Sequence, residues 1–181
     1  MKYLYHLKPE PFEGSFLIPL NLMNKSSSVY LNHAKKYEGR EELMLEIIPK
    51  LNCKWNDVIQ LSAINPQFIA RKLKEINPEL KLIRAEYFKI PVEKIVPKYE
   101  AVIYKKNPSQ VKGDFSIHEN DIEFLTTSSY KELIEVPTQT INYWLDVKKD
   151  GGKFLWFPFI PHIFVKGIIE TSDFELCTLT L

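Results

Sequence analysis

The sequence predicts an α+β fold: a single domain over residues 1–181, with a mainly antiparallel sheet, several short helices and a C-terminal β-hairpin. Three observations carry this expectation. Helical and strand-like segments are mixed without regular βα alternation, which argues against a parallel, doubly wound sheet. The chain ends in two strand-like runs, "HIFVKGIIE" and "FELCTLTL", separated by a turn at Ser172-Asp173, as in a hairpin. At 181 residues with 45% hydrophobic and 13% aromatic content, one sizeable core is affordable without a second domain.

Taken in order, residues 2–8, "KYLYHLK", alternate weakly and predict a first strand. "PEPFEGSFLIPLN" follows; its prolines and Gly14 predict an extended, ordered loop, because Phe12, Phe16, Leu17 and Ile18 need cover. Ser26, Ser27 and Ser28 are capping residues, and Tyr30, Ala34 and Tyr37 at i, i+4, i+7 predict a helix to about Tyr37. After Glu38-Gly39, "REELMLEII" places Leu43, Met44, Ile47 and Ile48 on one helical stripe that Pro49 ends. "VIQLS" predicts a short buried strand. "NPQFIARKLKEI" is the clearest helix, capped by Asn65, with Pro66 in its first turn and Ile69, Leu73 and Ile76 facing inward.

"LKLIRAEYFKI" and "YEAVIYKK" have the composition of strands, joined by "PVEKIVPK". "NPSQVKGD" predicts a surface turn. Residues 120–136 predict a short strand, "DIEFL", and a short helix, "YKELIEV". Thr138 then caps a helix with Ile141, Trp144 and Leu145 inward, closed by Gly151-Gly152.

Charge excludes some function classes. Lys and Arg total 24 against 23 Asp and Glu, a net charge of +1, which gives no reason to expect nucleic acid or a membrane surface as a partner. Lys outnumbers Arg by 21 to three, so Arg40, Arg71 and Arg84 stand out as places where the planar, bidentate fork is expected to count beyond the charge. No apolar run approaches the ~18 residues of a transmembrane helix, and "MKYLYHLKPEPFEGS" has no apolar signal core, so a cytoplasmic protein is expected, with signal-independent secretion the alternative. Cys53 and Cys177 form no CxxC pair and are expected as reduced thiols. His6, His33, His118 and His162 lack zinc-ligand spacing, so no metal site is expected; no cofactor is indicated by motif. The nucleotide-binding glycine motifs, HExxH and GxSxG are all absent from the sequence.

Four polar clusters carry the candidate chemistry, each with a structural alternative. His6, mid-strand with Tyr3 and Tyr5, is a candidate acid or base, or a half-buried ring bonded to a carbonyl. In "KYEGRE", Gly39 frees the backbone to turn, so Arg40 opens a helix N-terminus suited to an anion, or pairs with Glu41 or Glu42. In "LNCKWNDVIQLS", Trp55 can stack on a ring with Asn52, Asn56 and Asp57 at its edges; otherwise the asparagines serve turns and Trp55 the core. In "FPFIPHIFVKG", His162 opens a strand and Lys166 lies four residues on, on the same face; otherwise this is an edge strand with a capping His. Asp57, Glu86, Glu123 and Glu170 are the candidate catalytic carboxylates. The expectation is one polar site with His6, His162 and Asp57 as catalytic groups. Arg40, Asn52, Trp55, Asn56 and Lys166 would bind a small anionic or nucleotide-like ligand. A competing expectation is an interaction module docking through the aromatic run "FLWFPF".

The blocks "YLYHL", "LIPLN", "KYEGRE", "IPKLNCKWNDVIQLS" and "IPHIFVKG" resemble a family of small bacterial proteins labelled group-specific proteins. The blocks span nearly the whole chain, and the label implies no activity. "YHL" in the first strand is also similar to the "YHxT" opening of the ADP-ribosyltransferase group, although Leu7 stands where that pattern has Thr. That resemblance implies an enzyme using NAD, with His6 on the ribose, Tyr37 as the stacking tyrosine and Glu170 as the acid. Tyr37 departs from the pattern in lying off any expected strand.

Overall fold

Short apolar strands can satisfy their backbone groups and hide their side chains only by pairing laterally and covering both sheet faces. The computed structural model, which describes residues 1–12, 14–81, 85–106 and 116–180, shows how this chain does so. In chain order its elements are β1 (Tyr3–Leu7), β2 (Phe16–Leu17), α1 (Ser28–Ala34), β3 (Ile47–Ile48), β4 (Cys53–Lys54), β5 (Val58–Ser62), α2 (Pro66–Ile76), β6 (Glu86–Pro91), β7 (Ala101–Tyr104), β8 (Ile122–Phe124), α3 (Thr138–Asp150), β9 (His162–Lys166), β10 (Ile169–Glu170) and β11 (Glu175–Thr178). Seven strands form one sheet in the order β11-β6-β1-β5-β9-β7-β8, antiparallel throughout. The fold is α+β and mainly antiparallel. The expected surface turn at 107–114 and residues 82–84 of the "LKLIRAEYFKI" run lie outside the described residues.

Period-2 alternation assigns the two sheet faces. Leu4, Ile59, Leu61, Phe88, Ile90 and Ile163 point to one side, under Leu17, Ile95 and Tyr130. On the other side Tyr5 and Tyr87 meet Ala70 of α2. Further along the same sheet Val58, Val102 and Phe164 meet Ile48 and Leu51 of the β3–β4 hairpin. Helices α2 and α3 share their own core of Ile69, Leu73 and Trp144. Asn65 caps α2 by accepting from Gln67 N at 2.9 Å, and Trp144 is wholly buried with its indole donating to the Leu155 carbonyl at 2.7 Å. The aromatic run that offered a docking surface is largely spent here: Phe154, Trp156 and Phe157 pack into the helical core, and Leu155 is its large exposed member.

Four local expectations give way to tertiary pairing. Residues 41–45 form a single 3₁₀ turn, and Ile47-Ile48 then pair with Cys53-Lys54 in a small antiparallel ladder. The reversal at Lys50 and Asn52, both with positive φ, turns the supposed helical stripe into a hairpin. "YKELIEV" is extended, because Leu133 N donates to the Ala63 carbonyl at 2.8 Å and Glu132 is drawn to β1. In α3 Leu145 is 48% exposed, and the helix starts at Thr138 itself after Pro137, without a side-chain cap. The last two strand runs do not pair with each other. Gly167, at φ 92°, turns the chain out of β9; β10 then pairs with β2, and β11 takes the edge of β6.

A carboxylate clamp ties the extended 126–135 segment to β1. Tyr5 Oη donates to Glu132 Oε1 at 2.5 Å, and Tyr3 N donates to its Oε2 at 2.8 Å. Tyr130 Oη donates to the Tyr3 carbonyl at 2.5 Å. Burial first, and the Glu132 carboxylate second, push the Tyr5 phenol upward, so it stays a donor. Glu132→Ala should therefore cost about 3 kcal/mol, two bonds to a charged acceptor, and lower the thermal midpoint by about 6–12 °C in calorimetry.

Candidate functional site

Strands β1 and β5 are registered at a single pair, Tyr5 opposite Ser62, whereas β1 matches β6 over five pairs and β5 matches β9 over five. Beyond that pair the two strands part. A cavity of about 790 Å3 opens there, with His6, Leu7 and Lys8 on one lip and Val58, Ile59 and Gln60 on the other. Helix α1 roofs it, and residues 9–12 and 16–24 supply a mostly apolar floor, with Phe12, Leu17, Ile18 and Leu20. Size and lining suit a small molecule.

The polar groups at this cavity share one property. His6 Nδ1, His33 Nε2 and Asn56 Oδ1 are buried side-chain atoms with no hydrogen-bond partner among the described residues, and all three residues line this cavity. Buried polar atoms are nearly always paired, so three unpaired ones on residues that line one cavity set this region apart. His6 arrives here because β1 continues past its pairing with β5. Asn56, 3% exposed, arrives because the 3₁₀ turn at Trp55–Asp57 swings its side chain inward.

A second group comes from α1 and the turns after it. Ser27 caps α1 by accepting from Tyr30 N at 3.1 Å. The helix buries none of its side chains fully, and His33, Lys36, Tyr37 and Arg40 line the cavity. Gly39, at φ 76°, reverses the chain, a conformation favouring glycine. Arg40 is thereby folded back: its Nε and Nη2 donate to the Lys36 carbonyl at 2.9 and 2.7 Å, and its guanidinium lies 5.7 Å from the Tyr37 ring centre. It neither opens an α-helix nor pairs with Glu41, whose carboxylate accepts from Gly39 N at 3.0 Å. No ion pair joins Arg40 or Lys36 to a carboxylate among the described residues.

Burial lowers the His6 pKa to about 4; the Leu7 backbone opposes this, and the charges of Lys36 and His33 add to it. His6 is therefore a neutral imidazole at neutral pH. Burial, then Lys36, lowers His33, and burial lowers Lys36. Burial raises the Tyr37 phenol, against the Trp55 side chain and Arg40.

The structure thus brings together His6, Arg40 and Asn56, and keeps the other expected site residues apart. Asp57 Oδ1 accepts from Asn21 Nδ2 at 2.7 Å and Oδ2 accepts from Lys54 N at 2.7 Å, so both oxygens brace the turn outside the cavity. Trp55 packs edge-on against Phe164 at 5.0 Å, and Asn52 sits in the exposed reversal at φ 45°. Lys166 donates to the Leu51 carbonyl at 3.1 Å and pairs with Glu100 at 3.3 Å. His162 lies across the sheet beside Ser62 and Tyr104, where burial lowers its pKa to about 4 against the Ile160 backbone.

Of the other carboxylates, Glu86 pairs with Lys8, Glu123 with Lys105, and Glu170 accepts from Ser172 Oγ at 3.1 Å away from the cavity. Among the described residues, Glu10 is the carboxylate that does line it. His33 and Lys36 had not been singled out as site residues, yet the spacing His33, Lys36, Tyr37, Arg40 is i, i+3, i+4, i+7, the signature of one helical face.

No cluster of three or more His, Cys, Asp or Glu side chains fit for a metal occurs among the described residues. No described helix is long and apolar enough to cross a membrane. No family model, curated protein or solved structure matches the chain.

Two histidines with depressed pKa values give a defined pH response. Each resists protonation in the folded state, while the unfolded chain titrates near 6.5, so stability is complete above that pH and falls as pH drops from about 6.5 toward 4. Urea unfolding at intervals from pH 7.5 to 4 should show this decline, and His6→Gln and His162→Gln should each flatten it.

Proposed function

We propose that this cavity binds a small anionic, nucleotide-like ligand. The observation that supports the reading is that His6, His33 and Asn56, each with a buried polar atom unpartnered among the described residues, line one cavity. Leaving a buried donor or acceptor unmet costs about 1–3 kcal/mol, so three at one place are poor structural design and good recognition design. Two cations at the cavity, Lys36 and Arg40, lack carboxylate partners among the described residues and suit an anionic group. Tyr37, Phe12 and the apolar floor suit a ring. His6, neutral and with Nδ1 unpaired among the described residues, suits a ligand hydroxyl or a transferable proton.

The ADP-ribosyltransferase-like alternative, with NAD as the ligand, draws support from one juxtaposition: His6 and Tyr37 line the same cavity. Glu170, the acid that resemblance implies, is elsewhere, so the reading would need Glu10 in its place.

Thermal melts with a panel of nucleotides, NAD and phosphorylated metabolites test both. A ligand at one hundred times its dissociation constant stabilises by about 2.7 kcal/mol, a rise of about 5–10 °C for a chain of this size. Arg40→Lys keeps the charge and loses the fork; it should fold, melt within about 4 °C of wild type, and bind about 5–30-fold more weakly. Nicotinamide release from NAD would favour the transferase reading. If no member of the panel shifts the midpoint, or if the shift survives unchanged in both His6→Ala and Arg40→Lys, the cavity is not the binding site.

A further inference from the structure

Among the described residues the seven-stranded sheet ends in two edge strands, β8 and β11. In an antiparallel ladder alternate residues turn their N–H and C=O toward the paired strand, and the residues between turn theirs outward. Leu179 N donates to the Ala85 carbonyl at 2.9 Å, in register with the β11–β6 ladder. Glu175 and Cys177 therefore bond inward, and Leu176 and Thr178 turn their backbone groups to the open side. On β8, Leu125 N donating to the Ala101 carbonyl at 2.9 Å turns Ile122 and Phe124 outward in the same way.

The two edges are finished differently. On β8 side chains take both outward carbonyls: Lys50 Nζ donates to that of Ile122 at 2.5 Å, and Ser129 Oγ to that of Phe124 at 3.3 Å. Past the end of β11, the Gln67 side-chain amide pairs with both the N–H and the C=O of Thr180, as a neighbouring strand would. At the other end the chain turns away, with Phe174 N donating to the Thr171 carbonyl at 3.0 Å. Between these two stops the backbone groups of Leu176 and Thr178 have no partner among the described residues. Strand β11 also has neither Lys nor Pro, the usual guards of an exposed edge.

We propose that β11 pairs antiparallel with β11 of a second copy of this chain, about a two-fold axis through Cys177, so that one sheet runs across the dimer. The open groups select the register, because outward residues must face outward residues. Leu176 opposite Leu176 would run Thr178 against Phe174, which lies in the turn. Thr178 opposite Thr178 would run Leu176 against Thr180, which Gln67 already holds. Leu176 opposite Thr178 engages every open group, with two bonds in each of two pairs. Cys177 then faces Cys177 as a non-hydrogen-bonded pair, with Cα atoms about 4.5 Å apart. Charge allows the meeting: Glu175, the one charged residue of β11, is held by Lys89 of β6 at 2.9 Å, and the axis sets no like charges opposite. The equivalent pairing of β8 would set Glu123 against Glu123. A patch complementary to itself is what a two-fold interface requires, and it names the second copy as the occupant.

Sedimentation equilibrium over a series of protein concentrations should show monomer and dimer in exchange. Thr178→Pro removes an N–H that the β6 ladder does not use, so the chain keeps its fold and the dimer loses one bond from each copy. Leu176→Lys supplies the missing guard. Each variant, checked for a native melt, should raise the dimer dissociation constant at least about tenfold. Mild copper–phenanthroline oxidation should couple Cys177 to Cys177 in Cys53→Ser, since the expected Cα separation lies within the disulfide range of about 4.4–6.8 Å. Cys177→Ser should stay uncoupled. A chain that remains monomeric up to about 1 mM overturns the proposal. So does a dimer that both variants leave undiminished, which lies on another surface, and so does a dimer in which Cys177 does not couple, which has another register.

Discussion

Strands β1 and β5 touch in register only where Tyr5 faces Ser62, and the architecture around the cavity follows from that restriction. Each strand is fully committed on its other side, β1 to β6 and β5 to β9, so neither can rotate to extend the seam without breaking a five-pair ladder. Tyr5 is further pinned through its hydroxyl to Glu132, which also takes the Tyr3 amide. The sheet is thus continuous at one end of this seam and open at the other. An opening between two rigidly held strands is a cavity that does not close when empty, because its lips belong to different, independently braced halves of the sheet.

The roof is built on a different principle. The helix α1 and the turns after it bury almost nothing of their own; Leu31 and Leu45 point outward, and the polar side chains turn toward the cavity. Local devices hold the segment together: a Ser27 cap, a reversal at Gly39 and the Arg40 guanidinium closing on the Lys36 carbonyl. A stretch stabilised by such local bonds belongs to the low-stability part of a fold, where ligand-contacting elements are usually found. Wall and roof therefore divide the work: His6 on β1 and Asn56 in the turn that leads into β5 are placed rigidly, and the cationic groups are placed on a segment with few obligations to the core.

Residue type alone misleads in this chain. Asp57 and His162 have the chemistry of catalytic groups, yet Asp57 has both oxygens engaged in bracing a turn, and His162 is a half-buried neutral ring on β9, away from the cavity. His33 and Lys36, by contrast, lie in an unremarkable polar helix and become significant only beside the cavity. What separates the two pairs is the state of their hydrogen-bonding capacity. Asp57 is satisfied by the protein, and His33 is not.

Local signals made much of the fold legible. Asn65 and Pro66 start α2 because a capping oxygen and a pre-set φ need no distant partner, and the apolar run "VIQLS" becomes β5 because its content suits a strand buried on both faces. His6, Arg40 and Asn56, singled out because costly polar groups beside buried runs need a reason, line one cavity. Tertiary structure alone decided the rest. Ile47-Ile48 leave a helical pattern for a hairpin, "YKELIEV" straightens to meet β1 and Ala63, and the two C-terminal strands part to find β2 and β6. In each case pairing with a residue far along the chain outweighs a local preference worth a fraction of a kcal/mol per residue. Which polar atoms remain unpaired is a property of the finished packing, and no sequence pattern encodes it: Asp57 and Asn56 are neighbours, and the same turn that satisfies one leaves the other's Oδ1 buried without a partner among the described residues.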